Sequence, residues 1–466
     1  MKKCLLLICL ATTLANAQNK QLLHGFNEIP QSSYLNPAIQ PTYKSFFGFP
    51  LLSHIHVQAG SSGVSAYDIF VDDNRAFGDK LEAALLSMDP QDFFLVNQQL
   101  DIFSGGFQIG NPQIDQKYIT FGMYQEADII SYFPRDLVIL ALDGNQNNID
   151  RTFDLGQLNI AAEMISVIHA GYSTKVSNQL TLGLRGKIYS SMFNVKSTRN
   201  TGSFVTNQGV NNFLIHRFNL DMRAQTSGIA TLVDDENSDP TAIGKRVFLG
   251  GNLGLGIDFG LNYAINKQWQ VAASLIDLGF IRHSKDIRNY VLDGSLVFEG
   301  INPIFPESGE GQTAEEYWEE VQEDFEELFD IEETNDKYTS LRPLKFFGGL
   351  TYSYGQKVAK ECNCLAGEEP YRNALAFQVF AIKRPLRPLI ATTISYSKLL
   401  GASWRIKASY TIDSFSATNL GLGTSFRLGP LQFYALADNL LQYNNLAKAQ
   451  NVSLQLGFNY VIARKQ

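Results

Sequence analysis

Apolar and polar positions alternate along much of this chain, in repeated runs of about 8 to 12 residues. From Leu253, one face carries Leu253, Leu255, Ile257, Phe259, Leu261 and Tyr263, and the other carries Gly254, Gly256, Asp258, Gly260 and Asn262. Such period-two patterning is that of a β-strand with two unlike faces. It recurs with Leu180, Leu182, Leu184 and Ile188 against Thr181, Gly183, Arg185 and Lys187. Phe218, Leu220 and Met222 oppose Asn219, Asp221 and Arg223, and Trp404, Ile406, Ala408 and Tyr410 oppose Arg405, Lys407, Ser409 and Thr411. Two further runs start at Asn419 and Val452. Strands of soluble sandwiches run about five or six residues, whereas a tilted membrane-spanning strand needs about 9 to 11. The charges on the polar faces could not sit in a sandwich core, but a solvated lumen accepts them. The pattern therefore predicts an all-β fold, a transmembrane antiparallel up-and-down β-barrel of about 14 strands within a range of about 12 to 16. Arg185, Lys187, Asp258, Arg405 and Lys407 are its candidate lumen-facing residues.

Asn266-Lys267-Gln268, Asp413-Ser414 and Gly429-Pro430 read as short turns joining consecutive strands. The polar stretches 143–150, 197–212, 234–245 and 301–341 read as loops. Two segments break the strand pattern. Asp79 to Ser87 has the spacing of a short helix. Thr313-Ala-Glu-Glu316 is a capping-box sequence ahead of Tyr317, Trp318, Val321, Phe325, Leu328 and Phe329, which predicts an acidic amphipathic helix within the 301–341 loop. Its aromatic stripe packs on the barrel rim, or else Tyr317, Trp318, Phe325 and Phe329 dock a partner.

The N-terminus predicts export. Lys2 and Lys3 precede an apolar run from Leu5 to Leu14, and Ala15-Asn16-Ala17 fits signal-peptide cleavage after Ala17. No later stretch approaches the roughly 18 consecutive apolar residues of a membrane-spanning helix, so a spanning chain must be a closed barrel. The expected division is a signal peptide at 1–17, an N-terminal segment at 18–45 that could plug the lumen, and the barrel at 46–466.

Composition agrees, with 37 Gly, 32 Phe and 20 Tyr. The net charge of -8 is a local matter, because 14 acidic and no basic residues lie between Glu307 and Asp336. No basic patch points to nucleic acid. Once the signal is removed, Cys362 and Cys364 are the remaining cysteines, too few for a disulfide framework or a four-ligand zinc site. His54 and His56 share a strand face, a weak metal signal. No motif marks a catalytic base or a phosphate loop, so neither an enzyme nor a cofactor is expected.

The order Gly25-Phe26-Asn27-Glu28-Ile29-Pro30, Leu35-Asn36-Pro37-Ala38, Gly48-Phe49-Pro50-Leu51-Leu52 and Ala59-Gly60-Ser61 resembles an uncharacterised family of Bacteroidota outer-membrane barrels over nearly the whole mature chain. The Asn36-Pro37-Ala38 motif is also similar to one in long-chain fatty-acid channels and PorV-type secretion barrels. Runs that stop at Asp277 and Asp438 look like strand ends of the fatty-acid-channel group, although an Asp at a strand end can simply solvate a turn. The resemblance implies a Gram-negative outer-membrane barrel in contact with lipid. The expected function is a passive channel or binding barrel for a small hydrophobic or amphiphilic solute. The alternative is a non-enzymatic envelope scaffold that docks a protein partner through its long loops.

Overall fold

The computed structural model describes residues 20–110, 116–145, 147–208, 214–229, 245–298, 331–357, 371–401, 403–413, 415, 418–441 and 448–463. The signal segment, Tyr317, Trp318, Phe325, Phe329, Cys362 and Cys364 lie outside them.

Among the described residues, fourteen staves close into one antiparallel barrel. In order around the wall, β1 (Ser45–Gly48) and β2 (Ile55–Ser61) form the first stave. β3 (Phe93–Ile109), β4 (Lys117–Tyr132), β6 (Ile160–Lys175), β7 (Leu180–Gln208), β9 (Asn252–Ala264) and β10 (Trp269–His283) follow. β13 (Tyr338–Leu341) and β14 (Lys345–Lys357) share the eighth stave. The wall is completed by β15 (Tyr371–Ile382), β16 (Leu389–Leu400), β17 (Trp404–Ile412), β18 (Asn419–Leu428), β19 (Leu431–Asp438) and β20 (Asn451–Ile462). β20 pairs with β1 and β2, and these pair with β3, so the ring has no free edge.

The alternation sorts side chains as a membrane wall requires. Leu253, Leu255, Phe259, Leu261 and Tyr263 are exposed, while Asp258 on the opposite face of β9 is fully buried. Phe94 and Val96 of β3 point out, and Phe93, Leu95, Asn97 and Gln99 point in. The exposed apolar belt can meet hydrocarbon without leaving a backbone group unpaired.

The first stave is interrupted between Gly48 and Ile55, yet the wall stays hydrogen-bonded. Phe49 N donates to Phe458 O (3.2 Å), and Phe458 N donates to Leu52 O (2.9 Å). Leu51 and Leu52 bulge outward, and Ser53 and His54 turn fully inward.

The structure corrects the loop assignment of 197–212 over residues 197–208, and the rest of that stretch lies outside the described residues. β7 runs on to Gln208, well beyond the barrel, and carries a rim sheet with β5 (Thr152–Asp154), β8 (Leu214–Ser227), β11 (Asn289–Phe298) and β12 (Ile331–Thr334). β8 is therefore not a wall strand. Its apolar face, Phe218, Leu220 and Met222, packs with Ile139 of the helix Arg135–Asp143 and not against lipid. Within 301–341, residues 331–334 and 338–341 are strand and not loop. The helix expected at 79–87 is present as Phe77–Ser87.

Candidate functional site

The lumen is the site, and its contents begin with chain that forms no wall. Residues 20–43 follow a series of turns and a short 3-10 helix, Pro30–Tyr34, and most of their side chains are buried inside the barrel. Leu22, Leu23, Phe26, Ile29 and Leu35 form one apolar cluster with the inward-facing Phe347, Phe380, Tyr434 and Leu436. Each such side chain, fully buried, contributes about 2 kcal/mol.

Polar contacts fix the segment at several depths. Lys407 Nζ donates to Leu22 O (3.1 Å) and His24 O (2.6 Å). Arg405 pairs with Glu28 (2.6 Å). Gln31 and Asn459 exchange two amide hydrogen bonds, at 2.7 and 3.1 Å. The Tyr34 hydroxyl donates to Asp101 (2.8 Å). Arg185 donates to Ser33 O (2.9 Å) and Tyr34 O (2.7 Å).

Asn36-Pro37-Ala38 sits directly on the wall. Asn36 Oδ1 accepts from Ala38 N (2.9 Å), which closes a local turn, and its amide nitrogen donates to Leu261 O (3.1 Å). Opposite lie Gly183 of β7 and Gly260 of β9. A Cβ on Gly183 would stand 2.2 Å from the Pro37 carbonyl, and one on Gly260 would stand 2.1 Å from Asn36 Oδ1. The glycines on the inward faces of these strands thus make room for the motif.

Beside the segment runs a buried chain of ion pairs. Arg185 meets Asp258 (2.6 Å), and Lys187 meets both Asp258 (2.9 Å) and Asp277 (2.6 Å). Lys345 joins Asp277 (2.9 Å) to Glu126 (2.8 Å), and Arg342 continues to Glu126 (3.4 Å) and Glu163. Four cations face four carboxylates, so the lumen wall is locally neutral. Nearby, Arg384 forks onto Asp128 (2.5 and 3.0 Å). Charges buried this deeply persist only when paired.

Asp277 does not end a strand to solvate a turn. It lies within β10 at an irregularity between Leu275 and Leu278, has a φ of +66°, and is 2% exposed. The bulge turns its carboxylate into the ion chain, a conformation Asp tolerates better than most residues. Asp438 does end β19, but it is likewise buried.

Of the residues singled out from sequence, Arg185, Lys187, Asp258 and Lys407 are buried within the barrel, and Arg405 is there on the Glu28 contact. His54 and His56 stack with ring centroids 6.4 Å apart. No group of three metal-ligating side chains occurs among the described residues. Sequence reasoning missed Glu126, Glu163, Arg342 and Lys345; inward strand positions were the available signal for Glu126, Glu163 and Lys345, whereas Arg342 lies in the break between β13 and β14. It also missed the apolar spacing Leu22, Leu23, Phe26, Ile29.

Two groups of the lumen segment are shifted by burial. The His24 imidazole is pushed down to about 3, with Lys407 adding to the effect, and the Lys20 ammonium is pushed down to about 8. Between Lys20, Glu126, Asp277 and Lys345 a gap of about 20 Å³ remains, room for about one water.

A family model described as a family of unknown function (DUF5723) matches residues 37–438. No curated protein matches the chain. Among solved structures, the toluene transporter TbuX of Ralstonia pickettii is similar at 9% identity and a TM-score of 0.40, covering 93% of this chain and 94% of that one. A FadL homologue of Pseudomonas aeruginosa is similar at 9% identity and 0.41, covering 96% and 98%. The toluene transporter TodX of Pseudomonas putida is similar at 8% and 0.38, covering 97% and 96%.

Proposed function

The chain belongs to the DUF5723 family, and from that premise we propose that it is a plugged outer-membrane barrel that binds and passes a small hydrophobic or amphiphilic solute. Residues 20–43 are its gate. Export by a signal peptide cleaved after Ala17 belongs to the same reading.

The observation that carries this reading is the apolar patch on the inner wall. A water-filled pore has a polar interior, whereas here Phe347, Phe380 and Leu436 point inward and are covered by Leu22, Leu23 and Phe26. Moving the segment bares an apolar surface bordered by neutralised charge, which suits a solute with an apolar body. In this scheme Arg185, Lys187, Asp258, Arg405 and Lys407 hold the gate, and Asn36-Pro37-Ala38 is its seat.

The test is uptake of a labelled hydrophobic solute into liposomes holding the full mature barrel or a variant lacking residues 20–40. Faster uptake through the shortened variant is expected. Equal and negligible uptake by both removes the transport reading.

The rim sheet favours a second reading. It stands clear of the membrane wall and packs a helix on one face, as a docking platform for another envelope protein would. Capture of the same membrane partners by a variant lacking residues 198–224 and 289–334 sinks this alternative.

A further inference from the structure

We infer that the lumen wall is a receptor for an apolar peptide, with residues 22–35 as its resident pseudosubstrate. The inference rests on the solute-binding reading above and names the chemical class of the solute.

The segment is a string of turns, and its own N–H groups use the carbonyls of Lys20, Gln21, Leu23, Phe26, Ile29 and Ser32. The wall takes six others. Lys407 donates to Leu22 O and His24 O, and Gln432 to Glu28 O (3.3 Å). Arg185 donates to Ser33 O and Tyr34 O, and Ser274 to Leu35 O. With its amide oriented to accept from Lys407 (3.2 Å), Gln378 also donates to Gln21 O (3.0 Å). Among the described residues no wall group accepts a main-chain N–H of residues 22–35. The wall thus reads main chain through donors aimed at carbonyls, a group that every peptide presents.

Lys407 shows what a vacated lumen lacks. Its ammonium has three N–H donors, and their acceptors are Leu22 O, His24 O and the Gln378 amide. Withdrawal of the segment removes two of the three, and Arg405 loses Glu28 at the same time. A single head group can answer one of these donors, whereas a peptide answers several along its length. Its apolar side chains have a place on Phe347, Phe380 and Leu436, where Leu22, Leu23 and Phe26 now lie. The fitting solute is a peptide with apolar residues spaced as Leu22, Leu23, Phe26 and Ile29. It has glycine where Gly25 takes a φ of +71°, and an acid where Glu28 meets Arg405.

The probe is acetyl-Val-Ile-Ser-Gly-Leu-Ser-Glu-Val-amide, which keeps only those features of the segment. One comparator has a trans alkene in place of the amide bond before glycine and so lacks the carbonyl that answers to His24 O. The other is decanoate. Each is titrated into the full mature barrel in nanodiscs, as wild type and as Gly183→Ala, where the added Cβ meets the Pro37 carbonyl and unseats the segment. The peptide is expected to bind Gly183→Ala about tenfold or more tighter than its alkene form, as one hydrogen bond to a charged group implies. Wild type should bind it more weakly, because the segment competes. Adding Lys407→Met should bring peptide and alkene form to equal affinity. If Lys407→Met does not fold, Arg405→Met decides, since it should remove the preference for Glu over Gln in the probe. Decanoate binding without peptide binding, or peptide and alkene form binding alike, overturns the peptide assignment and leaves solute binding intact. Equal affinity for wild type and Gly183→Ala, or a folded Lys407→Met or Arg405→Met that keeps its preference, overturns it too. A barrel that binds neither peptide nor decanoate counts against the solute reading itself and takes the peptide with it.

Discussion

The Pro37 carbonyl lies against the α-carbon of Gly183, so close that a Cβ there would stand 2.2 Å from both its carbon and its oxygen. Neither partner is a flexible side chain that could swing aside. Gly183→Ala should therefore unseat the N-terminal segment at the cost of overpacking, about 1–3 kcal/mol. The barrel itself should still fold and migrate heat-modifiably on a gel. Limited proteolysis between residues 20 and 43 should speed up severalfold, and an unchanged rate would show that the motif is not seated there.

Arg185 ties the wall to the segment through Asp258 on one side and the Ser33 and Tyr34 carbonyls on the other. Arg185→Met should destabilise the barrel by about 3–5 kcal/mol in urea unfolding, as expected when one member of a buried pair is lost. In a double-mutant cycle with Asp258→Asn the losses should be clearly less than additive. Strict additivity would mean that the two residues do not act together.

Asp277 combines a left-handed backbone with contacts to Lys187 and Lys345. Asp277→Asn keeps a residue that tolerates this φ and loses only charge, whereas Asp277→Val adds backbone strain of about 1–3 kcal/mol. Thermal denaturation should rank wild type above Asn, and Asn above Val. Equal Asn and Val variants would show that the bulge carries no strain.

Acid should loosen the gate. Docked His24 holds its pKa near 3 by burial, while in the undocked segment it returns to about 6.5. Between these values the undocked form binds more protons, so the His24 contribution to docking is complete above pH 6.5. It weakens by about 1.4 kcal/mol per unit below that and levels off near pH 3. Cysteine labelling at position 27 in an Asn27→Cys variant with Cys362 and Cys364 replaced, divided at each pH by the labelling rate of a free cysteine peptide to cancel thiol protonation, should rise between pH 7 and pH 4.5, and His24→Phe should blunt the rise. A normalised rate independent of pH would remove His24 from the gate.

The wall was legible in the sequence because lipid on one side and a polar interior on the other impose strict alternation, as at Leu253–Tyr263. The same rule misled at Phe218, Leu220 and Met222, where the apolar partner is a helix and not lipid. The stretch 197–208 looks polar because a strand above the membrane has no lipid face to cover. Arg185 and Lys187 could be placed inward by register alone, but their partners come from strands 71 or more residues away, as with Arg185 and Asp258. The bulge at Asp277 leaves no mark in the pattern, since one extra residue in a strand resembles the end of a run.

The most direct test of the gate is single-channel conductance of a barrel whose N-terminal segment can be locked. Gln31 and Asn459 face each other through their amides, so Gln31→Cys with Asn459→Cys, and with Cys362 and Cys364 replaced by Ser, can be joined by a short bifunctional thiol linker. The linked barrel should stay closed in a planar bilayer, and the unlinked barrel lacking residues 20–40 should open in discrete steps. Steady conductance through the linked barrel, or none through the shortened one, would contradict a lumen closed by residues 20–43.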